Sequence, residues 1–272
     1  MNDAPLTWQL VDAVCGIARQ AGEEIMAVYR SGHIAAQMKA DDSPLTQADL
    51  RAHRSILAGL GTLTPNLPVL SEESAGSEFL ERRKWRRYWL VDPLDGTKEF
   101  LSRNGEFTVN IALIDVDAPV LGVVQIPASG EVYAGACDLG AVRIDAGNTR
   151  VAIQVRGAAA NPLRVVGSRS HGSAASAPIL AQMGNYEFAA VGSSLKFCRV
   201  AEGTADLYPR IGPTSEWDTA AGQAVLEAAG GRMRRLPDGQ AMRYNGGEDF
   251  LNPNFIAYGD EACWERWQRA AG

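Results

Sequence analysis

The stretch WLVDPLDGTKEFLSRNGEFTVN, residues 89–110, is the part of the sequence that decides the fold. Together with the preceding Tyr88, its first residues Trp89–Val91 form a short β-branched and aromatic run that predicts a buried strand. Pro93 lacks an N–H group and fixes its own φ, so we expect the strand to end there. Asp92 and Asp95 would then lie close together in a rigid turn, where like charges are costly unless they share a cation or a proton. An acidic surface turn is an equally good interpretation of this stretch taken alone.

Length and composition describe an ordinary globular protein. The 272 residues are enough for one large domain or two lobes. A hydrophobic content of 46% with 21% charged residues allows a sizeable core. The net charge of −6 argues against non-specific binding of nucleic acid. It does not argue against a small anionic substrate held by a local basic cluster or a metal ion.

The cysteines and the apolar segments indicate the cellular compartment in which the protein works. The 4 cysteines are far apart and show no CxxC spacing, so the sequence predicts neither a zinc site nor a disulfide framework. The segment MNDAPLTWQL lacks the pattern of a signal peptide, and no apolar run approaches the roughly 20 residues of a membrane span. We therefore expect a cytoplasmic protein with no integral membrane segment.

The first half of the chain has the pattern of two helices followed by a largely antiparallel sheet. Apolar spacing predicts a helix over Leu6–Tyr29 that ends near Gly32, and a second helix that follows Thr46–Asp49. A short strand is predicted at 69–70, and the charged segment 77–87 is expected to be exposed. The strands predicted after the opening stretch are Phe107–Ile114, Val120–Ile126, Glu131–Ala136 and Ala141–Ile144.

Strands and helices alternate after about Gly157, which is typical of an α/β layer. The predicted elements are strands at Leu163–Val166, Tyr186–Val191 and Ala205–Tyr208 and helices at Ala174–Met183, Leu195–Glu202 and Asp218–Ala229. The Ala-, Gly- and Asn-rich segment 156–162 is the best candidate for a boundary. It divides the chain into an N-terminal α+β lobe, residues 1–156, and a C-terminal α/β lobe, residues 157–272.

Further carboxylates fall at the ends of predicted elements. Glu72 follows a strand, as Asp92 and Asp95 do, and Asp49 and Asp218 begin helices. Taken singly, Asp49 and Asp218 are better explained as helix caps, although a helix N-terminus also favours an ionised carboxylate. With only 3 histidines in the chain, the set suggests hard oxygen ligation, which suits Mg²⁺ better than zinc or copper. Composition and spacing therefore predict a Mg²⁺ site and phosphoryl chemistry.

Ordered sequence blocks resemble the inositol monophosphatase superfamily of Mg²⁺-dependent, Li⁺-sensitive phosphatases. They are SPLTQADLRAH (43–53), SEES (71–74), WLVDPLDGTKEFLSRNGEFTVNIALID (89–115), SRSH (168–171), GSSLKFCRVAEGTADLYPRIGPT (192–214), WDTAAG (217–222) and FLNPNF (250–255). The blocks are most similar to those of the bacterial 3'(2'),5'-bisphosphate nucleotidases. The resemblance implies a mixed α and β fold, the layered αβαβα sandwich of the sugar phosphatases.

The resemblance also implies a ligand set for two Mg²⁺ ions. The matching residues are Glu72, Asp92, the Leu94 carbonyl group, Asp95 and Asp218, with Asp92 as the bridge. Asp49 matches the acid that orients the nucleophilic water, and whether it also helps to hold a third ion stays open. Thr97 matches the threonine whose hydroxyl passes the proton of that water toward Asp49. The segment 94–97 matches the part of the chain that surrounds the scissile phosphate.

Contacts to a nucleotide are implied in the second half of the chain. Arg210 matches a position that suits a second phosphate, because a guanidinium group donates two parallel bonds and stays charged. Without the resemblance, Lys196 and His171 are better explained as surface residues. Tyr208 could stack on the base or lie in the core, and Trp89 and Trp217 are interpreted as core packing. The full implied substrate-binding set is Glu72, Leu94, Asp95, Gly96, Thr97, His171, Ser193, Lys196, Arg210 and Asp218.

The activity implied by the resemblance is removal of the 3'-phosphate of adenosine 3',5'-bisphosphate to leave AMP. The sulfated nucleotide 3'-phosphoadenylyl sulfate is a further candidate substrate. One alternative is an inositol or other sugar phosphatase of the same superfamily. The other is a non-catalytic nucleotide or metal sensor, which the presence of all the implied acids argues against. A homodimer, and a peripheral association with the cytoplasmic face of the inner membrane, stay open.

Overall fold

The computed structural model describes residues 5–32, 36–38, 44–74, 79–168 and 173–272. The elements of its first part are α1 (Trp8–Ser31), β1 (Ala36–Met38), β2 (Pro44–Thr46), α2 (Gln47–Leu63), β3 (Val69–Ser71), a one-turn 3-10 helix (Glu72–Ser74), α3 (Phe79–Arg82), β4 (Arg87–Asp95), α4 (Thr97–Ser102), β5 (Thr108–Asp115), β6 (Ala118–Gln125), β7 (Val132–Ala136), β8 (Gly140–Ile144) and β9 (Arg150–Ile153). They are followed by β10 (Leu163–Gly167), α5 (Ser173–Gln182), β11 (Tyr186–Ala190), α6 (Leu195–Ala201), β12 (Leu207–Arg210), α7 (Glu216–Ala228), β13 (Arg232–Arg235), β14 (Phe255–Tyr258) and α8 (Glu261–Ala271).

Most of these strands form two sheets. The seven-stranded sheet has the order β3-β4-β5-β6-β7-β8-β9 and is antiparallel except for the β3–β4 pair. The five-stranded sheet has the order β11-β10-β12-β14-β13, with β10 parallel to both of its neighbours and β14 antiparallel to both of its own. The predicted antiparallel sheet and the alternating α/β layer are both present.

The helices complete five layers. Helices α1 and α2 cover one face of the seven-stranded sheet, with side chains such as Ile25 and Trp89 buried between them. Helices α6 and α7 lie between the two sheets, around Phe197 and Val225. Helices α5 and α8 pack near Trp264 on the outer face of the five-stranded sheet. The predicted αβαβα sandwich is confirmed.

Helix α7 packs unusually close to the seven-stranded sheet. A Cβ atom added at Gly122 of β6 would lie 2.2 Å from the Ala221 carbonyl oxygen and 2.8 Å from the Ala224 Cβ. The backbones can therefore approach only because glycine stands at this position. This contact determines where the N-terminal end of α7, and with it Asp218, lies relative to the sheet.

Helices α2 and α7 begin in the same way. Each has a capping box in which an aspartate at the third helical position accepts a hydrogen bond from the backbone of the N-cap residue. Asp49 accepts from the Thr46 N–H group at 2.8 Å, and Asp218 from the Ser215 N–H group at 2.8 Å. The interpretation of both acids as helix caps is therefore confirmed, and each cap fixes the direction of a carboxylate.

The expectation that the strand ends at Pro93 is wrong. Strand β4 continues to Asp95, pairing Asp92 with Asn110 and Asp95 with Thr108. One extra residue on β4 lies between these pairs, which is the pattern of a β-bulge. Pro93 is tolerated because a residue in a bulge does not have to donate to the neighbouring strand. The bulge brings the two aspartates of β4 close together.

The expectation that residues 77–87 are exposed is wrong at Arg82. Its side chain is fully buried, donates to the carbonyl groups of Gly247 and Glu248 at 2.7 Å, and lies 4.3 Å from the centre of the Phe250 ring. Carbonyl groups and an aromatic face replace water around the guanidinium group. A charged sequence pattern cannot show that a distant loop will enclose one of its members.

Candidate active site

Three carboxylates meet where β4 faces the start of α7. Asp92 and Asp95 come from the bulged end of β4, and Asp218 comes from the first turn of α7. One oxygen atom of each lies within 4.8 Å of those of the other two. Asp92 is buried, whereas Asp95 and Asp218 are half-buried at the cleft. The structure thus brings together three of the four predicted acidic ligands.

Each of the three carboxylates is held by a neighbouring donor. The Leu94 N–H group donates to Asp92 Oδ1 at 3.0 Å, and Ser215 N–H donates to Asp218 Oδ2. The Ser194 hydroxyl lies 2.8 Å from Asp95 Oδ2. Donors that fix one oxygen of a carboxylate orient its other oxygen, and such support strengthens metal binding.

The protonation of these acids depends on their surroundings. Burial raises the pKa of Asp92 well above its usual range, and the nearby charges of Glu72 and Asp95 raise it further. Enclosure in the cleft and the charge of Asp95 raise the pKa of Asp218 in the same direction. Among the described residues, no lysine or arginine forms an ion pair with the three acids. The three carboxylates therefore repel one another when all are ionised, and a bound divalent cation would offset this repulsion.

The donor set fits a hard cation. Its atoms are all oxygens, and Mg²⁺ prefers carboxylate oxygens over nitrogen or sulfur. Glu72, in the 3-10 helix that follows β3, lies close enough to Asp92 for hydrogen bonding between their side chains to contribute to the raised pKa of Asp92. The Leu94 carbonyl oxygen lies 3.5 Å from Thr97 Oγ1, on the same bulged strand end. The predicted ligands are therefore neighbours.

Asp49 and Thr97 lie on two helices, α2 and α4, that both contact β2. Asp49 is buried, and its Oδ2 atom accepts from both the N–H group and the hydroxyl of Thr46, the latter at 2.6 Å. Burial raises the pKa of Asp49, although the bonds from Thr46 oppose the shift. Thr97 begins α4, which packs beside β2, the strand that ends at Thr46. Gly96 caps α4 with a φ of 88°, a left-handed conformation that favours glycine.

A cleft opens next to the acidic group and carries three cations, Lys98, Lys196 and Arg210. It is lined by Asp95, Gly96, Lys98, Glu99, Ser168, Ser193, Lys196, Phe197, Tyr208, Arg210, Thr214, Asp218 and Thr219. Lys196 is buried, so its interpretation as a surface residue is wrong. Its ammonium group donates to the carbonyl oxygens of Val191 and Ser193 and lies 5.4 Å from the centre of the Tyr208 ring. Burial lowers the pKa of Lys196 to about 8.

Arg210, Tyr208 and His171 are the further candidates for contact with the nucleotide. Arg210 ends β12 and donates to the Pro213 carbonyl group at 2.6 Å. Tyr208 lies in the core, its ring centre 5.1 Å from that of Phe197, although part of it reaches the cleft. His171 lies outside the described residues.

The two tryptophans beside the acids pack against other side chains of the core, Trp89 fully buried and Trp217 half-buried. Trp89 is fully buried, and its indole N–H group donates to Thr64 Oγ1 at 2.8 Å. Trp217 packs against Phe250, with their ring centres 5.0 Å apart. Their interpretation as core packing is therefore confirmed.

Two further polar residues of the site, Asn110 and Ser194, were not predicted from the sequence. Asn110 Nδ2 lies 3.3 Å from Asp95 Oδ2 and donates at 2.9 Å to the Ser194 hydroxyl. Asn110 is paired with Asp92 across β4 and β5, so the register of the predicted strands could have indicated it. Ser194 gives no such signal, since a serine before a helix is usually explained as a cap.

The chain is similar to known proteins over nearly its whole length. A family model described as the inositol monophosphatase family matches residues 8–268. The chain belongs to the inositol monophosphatase family. Enzymes of this family generally depend on Mg²⁺, and the acidic group described above could hold such an ion. The predicted family is confirmed.

Individual relatives agree with this assignment. The protein named 3'(2'),5'-bisphosphate nucleotidase CysQ from Escherichia coli strain K12 is 52% identical over 248 residues, which cover 90% of this chain and 98% of the relative. The crystal structure of CysQ from Bacteroides thetaiotaomicron has a TM-score of 0.79 at 40% identity and covers 91% of this chain and 97% of that chain. An inositol monophosphatase from Anabaena has a TM-score of 0.73 at 24% identity, covers 97% of this chain and 95% of that chain, and shows the fold alone.

The described residues include no helix that is both long enough and apolar enough to cross a membrane.

Proposed function

We propose that the protein is a Mg²⁺-dependent 3'(2'),5'-bisphosphate nucleotidase that removes the 3'-phosphate of adenosine 3',5'-bisphosphate and leaves AMP. The observation that carries the proposal is the cleft, where Lys196 and Arg210 stand beside Asp95 and Asp218. The acidic side of the cleft, at Asp95 and Asp218, suits a metal-assisted reaction. The basic side, at Lys196 and Arg210, suits the binding of a second phosphate. The name of the Escherichia coli relative supports the same substrate.

The metal would be held by the acids of the site. We assign Glu72, Asp92, the Leu94 carbonyl group, Asp95 and Asp218 as its ligands. Bound Mg²⁺ supplies charge stabilisation to an in-line displacement at phosphorus. We propose that two Mg²⁺ ions bind at the site, with a third ion beside Asp49 as an alternative. We also propose that Li⁺ inhibits the enzyme.

Thr97 and Asp49 are assigned to proton transfer. In this assignment the Thr97 hydroxyl takes the proton of the attacking water and passes one to Asp49. The raised pKa of Asp49 makes its carboxylate a better proton acceptor than a surface aspartate. Both bonds from Thr46 fall on Oδ2, so the proposal assigns the transferred proton to Oδ1. Residues 94–97 would surround the scissile phosphate.

The second phosphate is assigned to Lys196, Arg210 and Ser193, with His171 as a further contact. A guanidinium group binds phosphate with two parallel bonds, and the ammonium group adds a point charge. The sulfated nucleotide 3'-phosphoadenylyl sulfate presents an anionic group at the same end, so it is included as a substrate. An inositol phosphate has no second anion for this pair.

The test compares kcat/KM for adenosine 3',5'-bisphosphate with kcat/KM for inositol 1-phosphate in saturating Mg²⁺. We expect a preference for the nucleotide of about 100-fold or more, because the smaller substrate offers the buried Lys196 ammonium group no second phosphate. The Arg210→Met variant should lose activity on the nucleotide and keep the low activity on inositol 1-phosphate. Equal or better turnover of inositol 1-phosphate by the wild type would make the protein a sugar phosphatase.

The organisation of the molecule belongs to the same proposal. We propose two lobes, residues 1–156 and 157–272, because the first sheet ends at Ile153 and the second begins at Leu163. All four cysteines are free thiols, which suits the cytoplasm, with peripheral association at the inner membrane as the alternative. A homodimer is also proposed, and light scattering of the purified protein tests it.

A further inference from the structure

Ser194 is the N-cap residue of α6, but its hydroxyl does not cap that helix. It accepts a hydrogen bond from Asn110 Nδ2 at 2.9 Å. On its other side it lies 2.8 Å from Asp95 Oδ2 and 2.7 Å from the Asp218 carbonyl oxygen. A serine at an N-cap usually bonds to the backbone of its own helix. This one connects two acids of the site from different layers of the fold.

The hydroxyl has one proton and two acceptors. It donates to either Asp95 or the backbone of Asp218 at one time, while Asn110 occupies one of its lone pairs. Ser194 and Asn110 are each only 1% exposed, so water does not compete for these bonds. Hydrogen bonds enclosed in this way are strong and depend on one another. A movement of either acid therefore changes the bond to the other.

The backbone next to Ser194 is held in place by contacts between Gly192 and Glu106. The Gly192 N–H group donates to Glu106 Oε2 at 2.9 Å, and a Cβ atom on Gly192 would lie 2.6 Å from the Glu106 carbonyl oxygen. Ser193 has a φ of 44°, a conformation that is strained for a residue with a side chain. The position of the Ser194 hydroxyl is therefore set by a tightly packed loop and not by a free rotamer.

We propose that Ser194 is a positioning residue that links the Asp95 carboxylate to the backbone of Asp218 and so sets the distance between these two acids for metal binding. Asn110 acts through the same hydroxyl and also directly on Asp95, from which its Nδ2 atom lies 3.3 Å away. The inference rests on the proposed metal site but not on the choice of substrate. Loss of the hydroxyl removes the link between the Asp95 carboxylate and the start of α7, which carries Asp218, and this weakens the binding of Mg²⁺ before any substrate is present.

The test is calorimetric titration of the full-length protein with Mg²⁺ in the absence of substrate. We expect Ser194→Ala to raise the Kd for Mg²⁺ by about 10-fold or more. In other metalloproteins, removal of a residue that hydrogen-bonds to a metal ligand has an effect of this size. The control is Ser55→Ala in α2, which removes a buried hydroxyl that has no hydrogen-bond partner within the described part of the chain. Its Kd should equal that of the wild type. A purely structural role for Ser194 would lower the Tm and leave the Kd unchanged.

A double-mutant cycle tests the coupling itself. Asn110→Ala should also weaken Mg²⁺ binding, and the double variant should lose less than the sum of the two single effects, because both residues act through one hydroxyl. If Ser194→Ala does not fold, Ser194→Cys keeps the shape with a weaker donor, and it should show an intermediate Kd since Mg²⁺ does not bind thiols.

Three outcomes would overturn the inference: a wild-type Kd in the folded Ser194 variants, strictly additive effects in the cycle, or a wild-type protein that does not bind Mg²⁺. The last would also remove the proposed metal site. A wild-type protein that binds Mg²⁺ and shows the Ser194 effect, yet does not hydrolyse the nucleotide, would support the inference and contradict the proposed function.

Discussion

The carboxylates of Asp92 and Asp218 lie in one group with Asp95, with an oxygen atom of each within 4.8 Å of the others, although they belong to different layers of the fold. Asp92 is part of the seven-stranded sheet, whereas Asp218 begins the helix packed on that sheet. The site therefore exists only where the two layers are assembled. Metal binding and the stability of this layer contact are linked, because a ligand that binds only the folded state stabilises it.

Replacing Asp95 by asparagine should abolish turnover and leave the fold intact. The change removes a charge from the acidic group but keeps the size of the side chain and its contact with Ser194. We expect kcat/KM to fall at least about 100-fold in saturating Mg²⁺, because metal ligation supplies several kcal/mol to the reaction. Asp138→Asn is the control, since Asp138 is exposed and has a φ of 62°, which asparagine tolerates well. Full activity of Asp95→Asn would argue against its role as a ligand.

The stability of the metal-free protein should fall as the pH rises from about 4 to about 8. The fold raises the pKa of Asp218 from 3.8 to about 8 and that of Asp92 in the same direction. Between these pH values the folded chain holds protons that the unfolded chain has released, so each rise in pH favours unfolding. Mg²⁺ replaces those protons, and the gain in Tm on adding Mg²⁺ should therefore grow with pH. Melting curves recorded in EDTA and in Mg²⁺ at several pH values measure this rise in Tm. A rise in Tm that does not depend on pH would contradict the prediction.

The activity should decline above about pH 8 because of Lys196. Its pKa is lowered to about 8, so the side chain is a cation below this pH and neutral above it. A neutral amine attracts phosphate less, and kcat/KM reports the ionisation of the free enzyme. In Lys196→Arg the cation persists, so the alkaline decline should move beyond pH 9 even if the overall rate is lower. A pH profile that is the same in both proteins would assign the decline to another group.

Two glycine substitutions should have opposite effects on stability. Gly122→Ala forces a methyl group into the backbone of α7, whose Ala221 carbonyl oxygen would be 2.2 Å away, and should cost about 1–3 kcal/mol of unfolding free energy. Gly61→Ala lies in α2 with nothing within 4 Å of the new atom and should add roughly 0.5–1 kcal/mol. Urea denaturation measures both. Equal effects would mean that α7 does not depend on its close approach to the sheet.

The acids of the site could be predicted because each stands at the end of a recognisable element. Asp92 follows an apolar run, and Asp49 and Asp218 stand at helix starts, so pattern and spacing were sufficient to indicate them. The resemblance of the surrounding blocks indicated the fold and the proposed substrate class, which periodicity alone does not show. The layers were then confirmed by the packing of the helices on the two sheets.

The remaining features depend on contacts between distant parts of the chain. Arg82 is buried because the loop at Gly247 and Glu248 encloses it, and Ser194 meets Asp95 because α6 lies beside the end of β4. No local pattern around these residues reports such partners. The bulge at Pro93 was missed for a different reason, because a proline between two aspartates also fits the end of a strand.

Phosphate release from adenosine 3',5'-bisphosphate, measured in EDTA, in Mg²⁺, and in Mg²⁺ with added Li⁺, tests whether the acidic group and the cleft form a metal-dependent nucleotidase site. We predict no turnover in EDTA, rapid release of one phosphate per nucleotide in Mg²⁺ with AMP as the product, and inhibition by Li⁺. Turnover that is equal in EDTA and in Mg²⁺, or no hydrolysis of this nucleotide at any Mg²⁺ concentration, would contradict the account.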